Sequence, residues 1–214
     1  MRASRLSLLG LCVALTSSVF AFEPLPLAQQ GGVSQVMLTC TGCHGEALMG
    51  VAAAGFPRLA GLSADYLSKQ LYDFKAGKRF NPYMQQFAAG LSDQDIQSVT
   101  RFFAALPTTQ YARPSRASAA EDLGARLALR GAWERNIPEC VSCHGPGGVG
   151  VGNTFPPLAG QPALYLVNQL RDWQKGVRRN DPNDLMGHIA KALNEEEIQA
   201  VSDYFAGLPV GGAR

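Results

Sequence analysis

One hexapeptide pattern occurs twice in this chain and constrains its fold more than any other feature. Cys40-Thr41-Gly42-Cys43-His44-Gly45 returns as Cys140-Val141-Ser142-Cys143-His144-Gly145. The likeness continues downstream, where Phe56-Pro57-Arg58-Leu59-Ala60-Gly61 is matched by Phe155-Pro156-Pro157-Leu158-Ala159-Gly160. Tyr66, Gln70, Leu71, Asp73, Gly77 and Arg79 then pair with Tyr165, Gln169, Leu170, Asp172, Gly176 and Arg178. Each copy closes alike, with Leu91, Ile96, Val99, Phe103, Leu106 and Pro107 matched by Leu193, Ile198, Val201, Phe205, Leu208 and Pro209. The offset drifts from 100 to 99 to 102, so only short loops differ. Two long copies are a duplicated domain; a solenoid stacks shorter and more numerous units.

The cysteines state what the repeat is for. Cys12 stands in an apolar N-terminal run, which leaves Cys40, Cys43, Cys140 and Cys143, each pair followed at once by His44 or His144. Two cysteines at this spacing can each add across a vinyl group of haem, and the adjacent histidine then lies beneath the iron; the pattern reads as c-type haem attachment. Zinc also accepts thiolates and imidazoles, but it does not explain an immediate histidine after both pairs. A redox disulfide needs no ligand downstream. The expectation is two covalently bound haem c groups, one per copy, ligated by His44 and His144. Such a cofactor also answers a stability problem, because a glycine-rich domain under about 100 residues has a thin core of its own.

An electron-transferring haem of this kind is expected to carry methionine opposite the histidine, which raises its potential. Methionine is scarce. Beyond Met1 there are Met37, Met49, Met84 and Met186. Met84 precedes Leu91 by seven residues and Met186 precedes the matching Leu193 by the same seven, whereas Met37 and Met49 have no counterparts. Met37 reads as core, since methionine commonly fills gaps, and Met49 lies too close to His44 to reach the opposite face. Met84 and Met186 are the candidate sixth ligands. His188, matching Gln86 in the first copy, is the rival for the second iron, and an open site is the third reading. The carbonyls of Pro57 and Pro156 are placed to accept the histidines' Nδ1–H, or the prolines merely stiffen a turn. Tyr66, Tyr165, Arg79 and Arg178 are candidates for haem propionates or for ordinary packing. Phe74 and Trp173 read as core.

The hydrophobic spacing is helical throughout. Leu67, Leu71 and Phe74 recur at i, i+4 and i+7 after a capping Ser63, as do Leu166, Leu170 and Trp173 in the second copy. Ser92 with Asp95, and Asn194 with Glu197, are capping boxes opening the closing helices, which Pro107 and Pro209 should end. A helix is expected from about Ala119 to Asn136, leading into Cys140. No stretch alternates convincingly as a strand, so the fold class is all-α, with two tandem domains related by duplication. The expected division is residues 1–21 as a signal peptide, 22–107 as the first domain, 108–118 as a linker containing Arg113, Pro114 and Arg116, and 119–214 as the second domain.

The signal reading rests on Arg2 and Arg5 before the apolar run Leu6 to Val19, with small residues suited to cleavage after Ala21. A retained anchor is the alternative. The chain has 19 basic and 17 acidic residues; cleavage removes Arg2 and Arg5, leaving 17 of each. A neutral chain without a clustered basic face argues against nucleic-acid binding.

The two CxxCH domains, the Phe-Pro-x-Leu-Ala-Gly segments, the Tyr-Leu-x-x-Gln-Leu helices and the spaced Met-to-Leu closures resemble the dihaem cytochrome c4 family over nearly all of the chain beyond the signal. The resemblance implies two cytochrome c domains about a pseudo-twofold axis, with His44 and Met84 on one iron and His144 and Met186 on the other. It implies a periplasmic electron carrier, loosely associated with the membrane. Its donor would be a quinol-oxidising complex or a dehydrogenase, and its acceptor a terminal oxidase such as the cbb3 type. Pro146-Gly147-Gly148 and the loop Asn180-Asp181-Pro182-Asn183-Asp184 depart from the pattern and leave partner contacts open. The expected activity is electron transfer without catalysis. A dedicated acceptor of one periplasmic dehydrogenase is the alternative, and a dihaem peroxidase the more distant one.

Overall fold

A computed structural model describes residues 27–114, 117 and 122–209. The expected signal at 1–21 and the first residues of the expected second-domain helix lie outside the described residues. Helices dominate. The first domain holds α1 (Leu27–His44), α2 (Ala64–Lys75), α3 (Pro82–Ala89) and α4 (Asp93–Ala105). The second holds α5 (Leu123–Arg130), α6 (Cys140–His144), α7 (Ala163–Gln174), α8 (Leu185–Ala192) and α9 (Glu195–Ala206). Among the described residues extended pairing is limited to isolated bridges.

The duplication is visible as α2 with α7, α3 with α8 and α4 with α9. Ser63 accepts from the Tyr66 N–H to start α2, and its buried side includes Leu67 and Phe74. Both capping boxes form, at Ser92–Asp95 and at Asn194–Glu197, and α4 and α9 end ahead of Pro107 and Pro209. Helices of this length are stabilised chiefly by burying an amphipathic face. One core gathers Leu48, Leu62, Leu67, Val99 and Phe103, and the other Leu127, Leu129, Ile137, Val167, Ile198 and Phe205.

The copies differ where the chain approaches the cysteines. Helix α1 runs unbroken into its motif, whereas the helix expected over 119–136 stops at Arg130. Gly131 has φ 70° and ψ −163°, a region open essentially to glycine alone. A Cβ there would fall 2.4 Å from the Ile137 carbonyl oxygen. The chain then makes one 3-10 turn at Trp133–Arg135, and Ala132 pairs with Ile137 before α6 begins.

The domains meet through reciprocal hydrogen bonds. Gln161 accepts from the Arg58 N–H and donates to the Arg58 carbonyl, both at 3.0 Å. The Arg58 guanidinium donates to the carbonyls of Ala60 and Ala159, so it ties the matching Leu-Ala-Gly segments together. Part of the expected linker folds back on the second domain, where Tyr111 packs against the core and the Ala112 N–H donates to Pro209 at 2.8 Å.

Candidate functional site

The two motifs sit at helix ends facing one continuous cavity of about 910 Å³. Helical spacing puts Cys40 and Cys43 on one side of α1, with His44 its last residue, and α6 repeats this with Cys140, Cys143 and His144. All four thiols are free. Burial pushes Cys40 up to about 11 and Cys140 up to about 12, so neither is an exposed reactive thiolate. Each helix stops at a glycine with positive φ, Gly45 at 83° and Gly145 at 77°. The chain then turns back, with Gly50 and Gly150 N–H groups donating to the histidine carbonyls at 2.8 and 2.6 Å.

That return brings the equivalent prolines of the two copies beside the rings. His44 Nδ1 lies 2.8 Å from the Pro57 carbonyl oxygen and His144 Nδ1 lies 2.7 Å from that of Pro156. A carbonyl can only accept, so Nδ1 carries the proton and Nε2 is left as a lone-pair donor for a metal. Burial lowers both histidine pKa values, with the proline carbonyls opposing the shift. Both rings line the cavity with Nε2 unprotonated.

Further parts of the cavity wall come from α3 and α8. Met84 and Met186 both line the cavity, and each backbone is anchored by a polar side chain. Asn81 accepts from the Met84 N–H at 3.0 Å and Asp181 accepts from the Met186 N–H at 2.6 Å. His188 is exposed and is not part of the cavity wall. Met37 packs on the first core, and Met49 is exposed at the surface. Among the described residues no group of three His, Cys, Asp or Glu side chains converges as for a bare metal ion.

At the middle of the molecule Arg79 and Arg178 face each other across a pseudo-twofold contact. Both are at least 93% buried. Arg79 stacks on Phe74 at 4.6 Å and Arg178 on Trp173 at 4.0 Å. Arg79 donates to Gln70 and to the Tyr165 hydroxyl, while Arg178 donates to Gln169 and, across the interface, to Gln70. Burial, then the neighbouring Arg79 charge, lowers the Arg178 pKa, and the two arginines lower that of Tyr165 against its desolvation. Among the described residues no carboxylate forms an ion pair with either guanidinium. Two buried cations on a cavity wall call for an anion within it. Haem fits on three counts: thiols in pairs, a neutral imidazole beside each pair, and cations for its carboxylates.

The sequence left Gln70 and Gln169 without a role, and it read the Asn180 loop only as a departure. Asn180 is buried and donates to Gln70 at 2.9 Å and Asp73 at 2.7 Å, and its carbonyl accepts from Lys69. The loop therefore helps join the domains.

Comparison with known proteins agrees with this geometry. The cytochrome c family model matches residues 30–107 and 135–209, one match per domain. Reduced cytochrome c4 from Pseudomonas stutzeri is 35% identical, with a TM-score of 0.72 over 85% of this chain and 98% of that one. The chain belongs to the dihaem cytochrome c4 family. As a family member it binds two haem c groups covalently, one per CxxCH domain, and carries electrons. It is also 59% identical, over 84% of its length and 83% of the relative's, to the thiosulfate dehydrogenase electron acceptor of Stutzerimonas stutzeri. A third likeness is to thiosulfate dehydrogenase (TsdBA) from Marichromatium purpuratum, at 41% identity and a TM-score of 0.74, covering 85% of this chain and 40% of that one.

Proposed function

We propose that this protein accepts electrons from a thiosulfate dehydrogenase in the periplasm and passes them singly to a further redox protein that serves a terminal oxidase. The likeness to the Stutzerimonas stutzeri electron acceptor carries the donor assignment. Two one-electron sites on one molecule let it take a pair of electrons in successive steps. In this reading no substrate bond is made or broken on the chain.

Cys40, Cys43, Cys140 and Cys143 would hold the two groups by thioethers, and His44, His144, Met84 and Met186 would ligate the irons. Bound haem supplies a ferric–ferrous couple whose potential follows its axial ligands, hydrogen bonding and burial. The chain sets those terms. Pro57 and Pro156 hold each imidazole in one tautomer and raise its basicity. The largely apolar wall would limit solvation of the bound groups, which favours the less charged reduced state. Arg79 and Arg178 would neutralise the propionates, and Tyr66 and Tyr165 hydrogen-bond to the two guanidiniums.

Mixing the oxidised holoprotein anaerobically with thiosulfate and the same organism's thiosulfate dehydrogenase should reduce both haems, two electrons per molecule. If the dehydrogenase leaves it oxidised while dithionite reduces it fully, the donor assignment is wrong.

A further inference from the structure

We propose that the Asp181 carboxylate, tied to the Met186 backbone and to the Trp173 indole, is a charged positioning residue that holds the second haem at a lower potential than a neutral anchor would. The inference rests on ligation of the second iron by Met186, as proposed above. It adds a reason for the two sites of one molecule to be unequal.

Asp181 is half-buried. Its Oδ2 accepts from the Met186 N–H at 2.6 Å and from the Gly187 N–H at 3.4 Å, and its Oδ1 accepts from the Trp173 Nε1–H at 3.0 Å. Both oxygens accept and neither donates, the arrangement of an ionised carboxylate. Among the described residues no Lys or Arg forms an ion pair with it. Its neighbour Asp184, by contrast, is paired with Lys191 at 3.0 Å. Trp173 and Met186 both line the cavity, so one unpaired negative charge stands a hydrogen bond behind two of the wall residues.

The duplication supplies the internal control. In the first domain the Met84 N–H is held by Asn81, whose Oδ1 also accepts from the Tyr83 N–H at 3.2 Å. That side chain is neutral. The residue matching Trp173 is Phe74, which has no N–H to donate. The two differences belong together: a carboxylate has a second oxygen to offer the indole, an amide does not, and a phenyl ring needs none. Both rings still stack on an arginine, Phe74 on Arg79 and Trp173 on Arg178. Anchoring a methionine here thus requires no charge, and stacking an arginine requires no indole. What the Trp173–Asp181 pair adds is a fixed negative charge. Such a charge stabilises ferric over ferrous iron, because oxidation adds one positive charge. The bias it adds favours an electron resting on the first haem.

The test measures midpoint potentials at neutral pH in a Met84→His background, where the far-red ferric band reports the second haem alone. The reference variant is Trp173→Phe, which keeps the carboxylate. The probe is Trp173→Phe with Asp181→Asn, which recreates the Phe74–Asn81 pair. Removing the charge should raise the ferrous-to-ferric ratio of the second haem about tenfold at a fixed ambient potential, which is about 59 mV for a one-electron couple. The band should stay, and the shift should persist at high salt, since partly buried charges are little screened. Equal potentials in reference and probe, with the band present in both, sink the proposal alone. Loss of the band only in the probe also overturns it, because Asp181 would then act through the placement of Met186 and not through its charge. If Met84→His by itself shows no far-red band, Met186 is not a ligand, and the ligation reading falls together with the proposal. Should the probe fail to take up haem, the reciprocal change decides: Phe74→Trp with Asn81→Asp, read against Phe74→Trp in a Met186→His background. There the ratio at the first haem should fall by a similar factor, and an unchanged ratio overturns the proposal.

Discussion

Met84 and Met186 each stand in the first turn of a short helix, with the backbone N–H fixed by Asn81 or Asp181. That anchoring matters because a thioether is a weak ligand and its position must be imposed by the chain. Ligation by these two residues predicts that Met84→His and Met186→His each remove half of the far-red ferric absorption that methionine–iron bonding produces. Each should also lower the potential of one haem, since imidazole favours ferric iron more than thioether does. Covalent attachment should survive, because Cys40, Cys43, Cys140 and Cys143 are untouched. Retention of the full band in both variants would rule out the pair. The sequence singled these two out because methionine is rare and the spacing to Leu91 and Leu193 repeats, and both line the cavity. His188, the rival for the second iron, lies on the surface and outside the cavity wall.

Among the elements, the capped closing helices were the most readable and the helix before Cys140 the least. Ser92–Asp95 and Asn194–Glu197 are local signals, complete within four residues, and both form. The break at Gly131 depends instead on a backbone conformation that apolar spacing does not encode; the glycine itself was the available clue. The second box also gains an outside partner, because Arg135 donates to Glu197 at 3.0 Å through Nη1. Asn194→Ala should cost about 1 kcal/mol by freeing the first turn of α9. The Arg135 hydrogen bonds hold the Glu197 carboxyl below its ordinary 4.5. A carboxylate depressed by folding adds stability that is full above the ordinary value and is lost as pH falls through the lowered one. Glu197→Gln should therefore flatten the acid limb of stability below about pH 4.5 while changing its slope little near neutrality. Thermal midpoints of the holoprotein across pH measure this; parallel acid limbs in wild type and variant would show that Glu197 titrates no differently when folded.

For the whole molecule, the domain contact was not legible. Arg79, Arg178 and Asn180 are of types usually found at the surface, yet all three are buried and hydrogen-bond across to the other copy. Their cross-domain hydrogen bonds span 86 to 110 residues of chain, beyond the reach of local periodicity. The same contact encloses the cavity, and its size decides how far the fold can stand without its cofactor. At about 24 cal/mol per Å³, an empty space of 910 Å³ would cost about 20 kcal/mol. Because the cavity is partly open to solvent, that figure is an upper bound, of the same order as the roughly 5–15 kcal/mol by which whole domains are stable. Two buried guanidiniums left without an anion add to the penalty. Chain produced where haem cannot be attached should therefore lack a cooperative thermal transition and bind apolar dyes. Restoring haem attachment should recover both helical circular dichroism and a sharp melt. Replacing only the second pair, Cys140→Ala with Cys143→Ala, should leave a protein whose first domain also melts earlier, because Arg79 and Gln70 lose their partners in the folded second domain. A first domain melting unchanged in that variant would mean that the two halves fold independently and that the arginine contact contributes nothing to their stability.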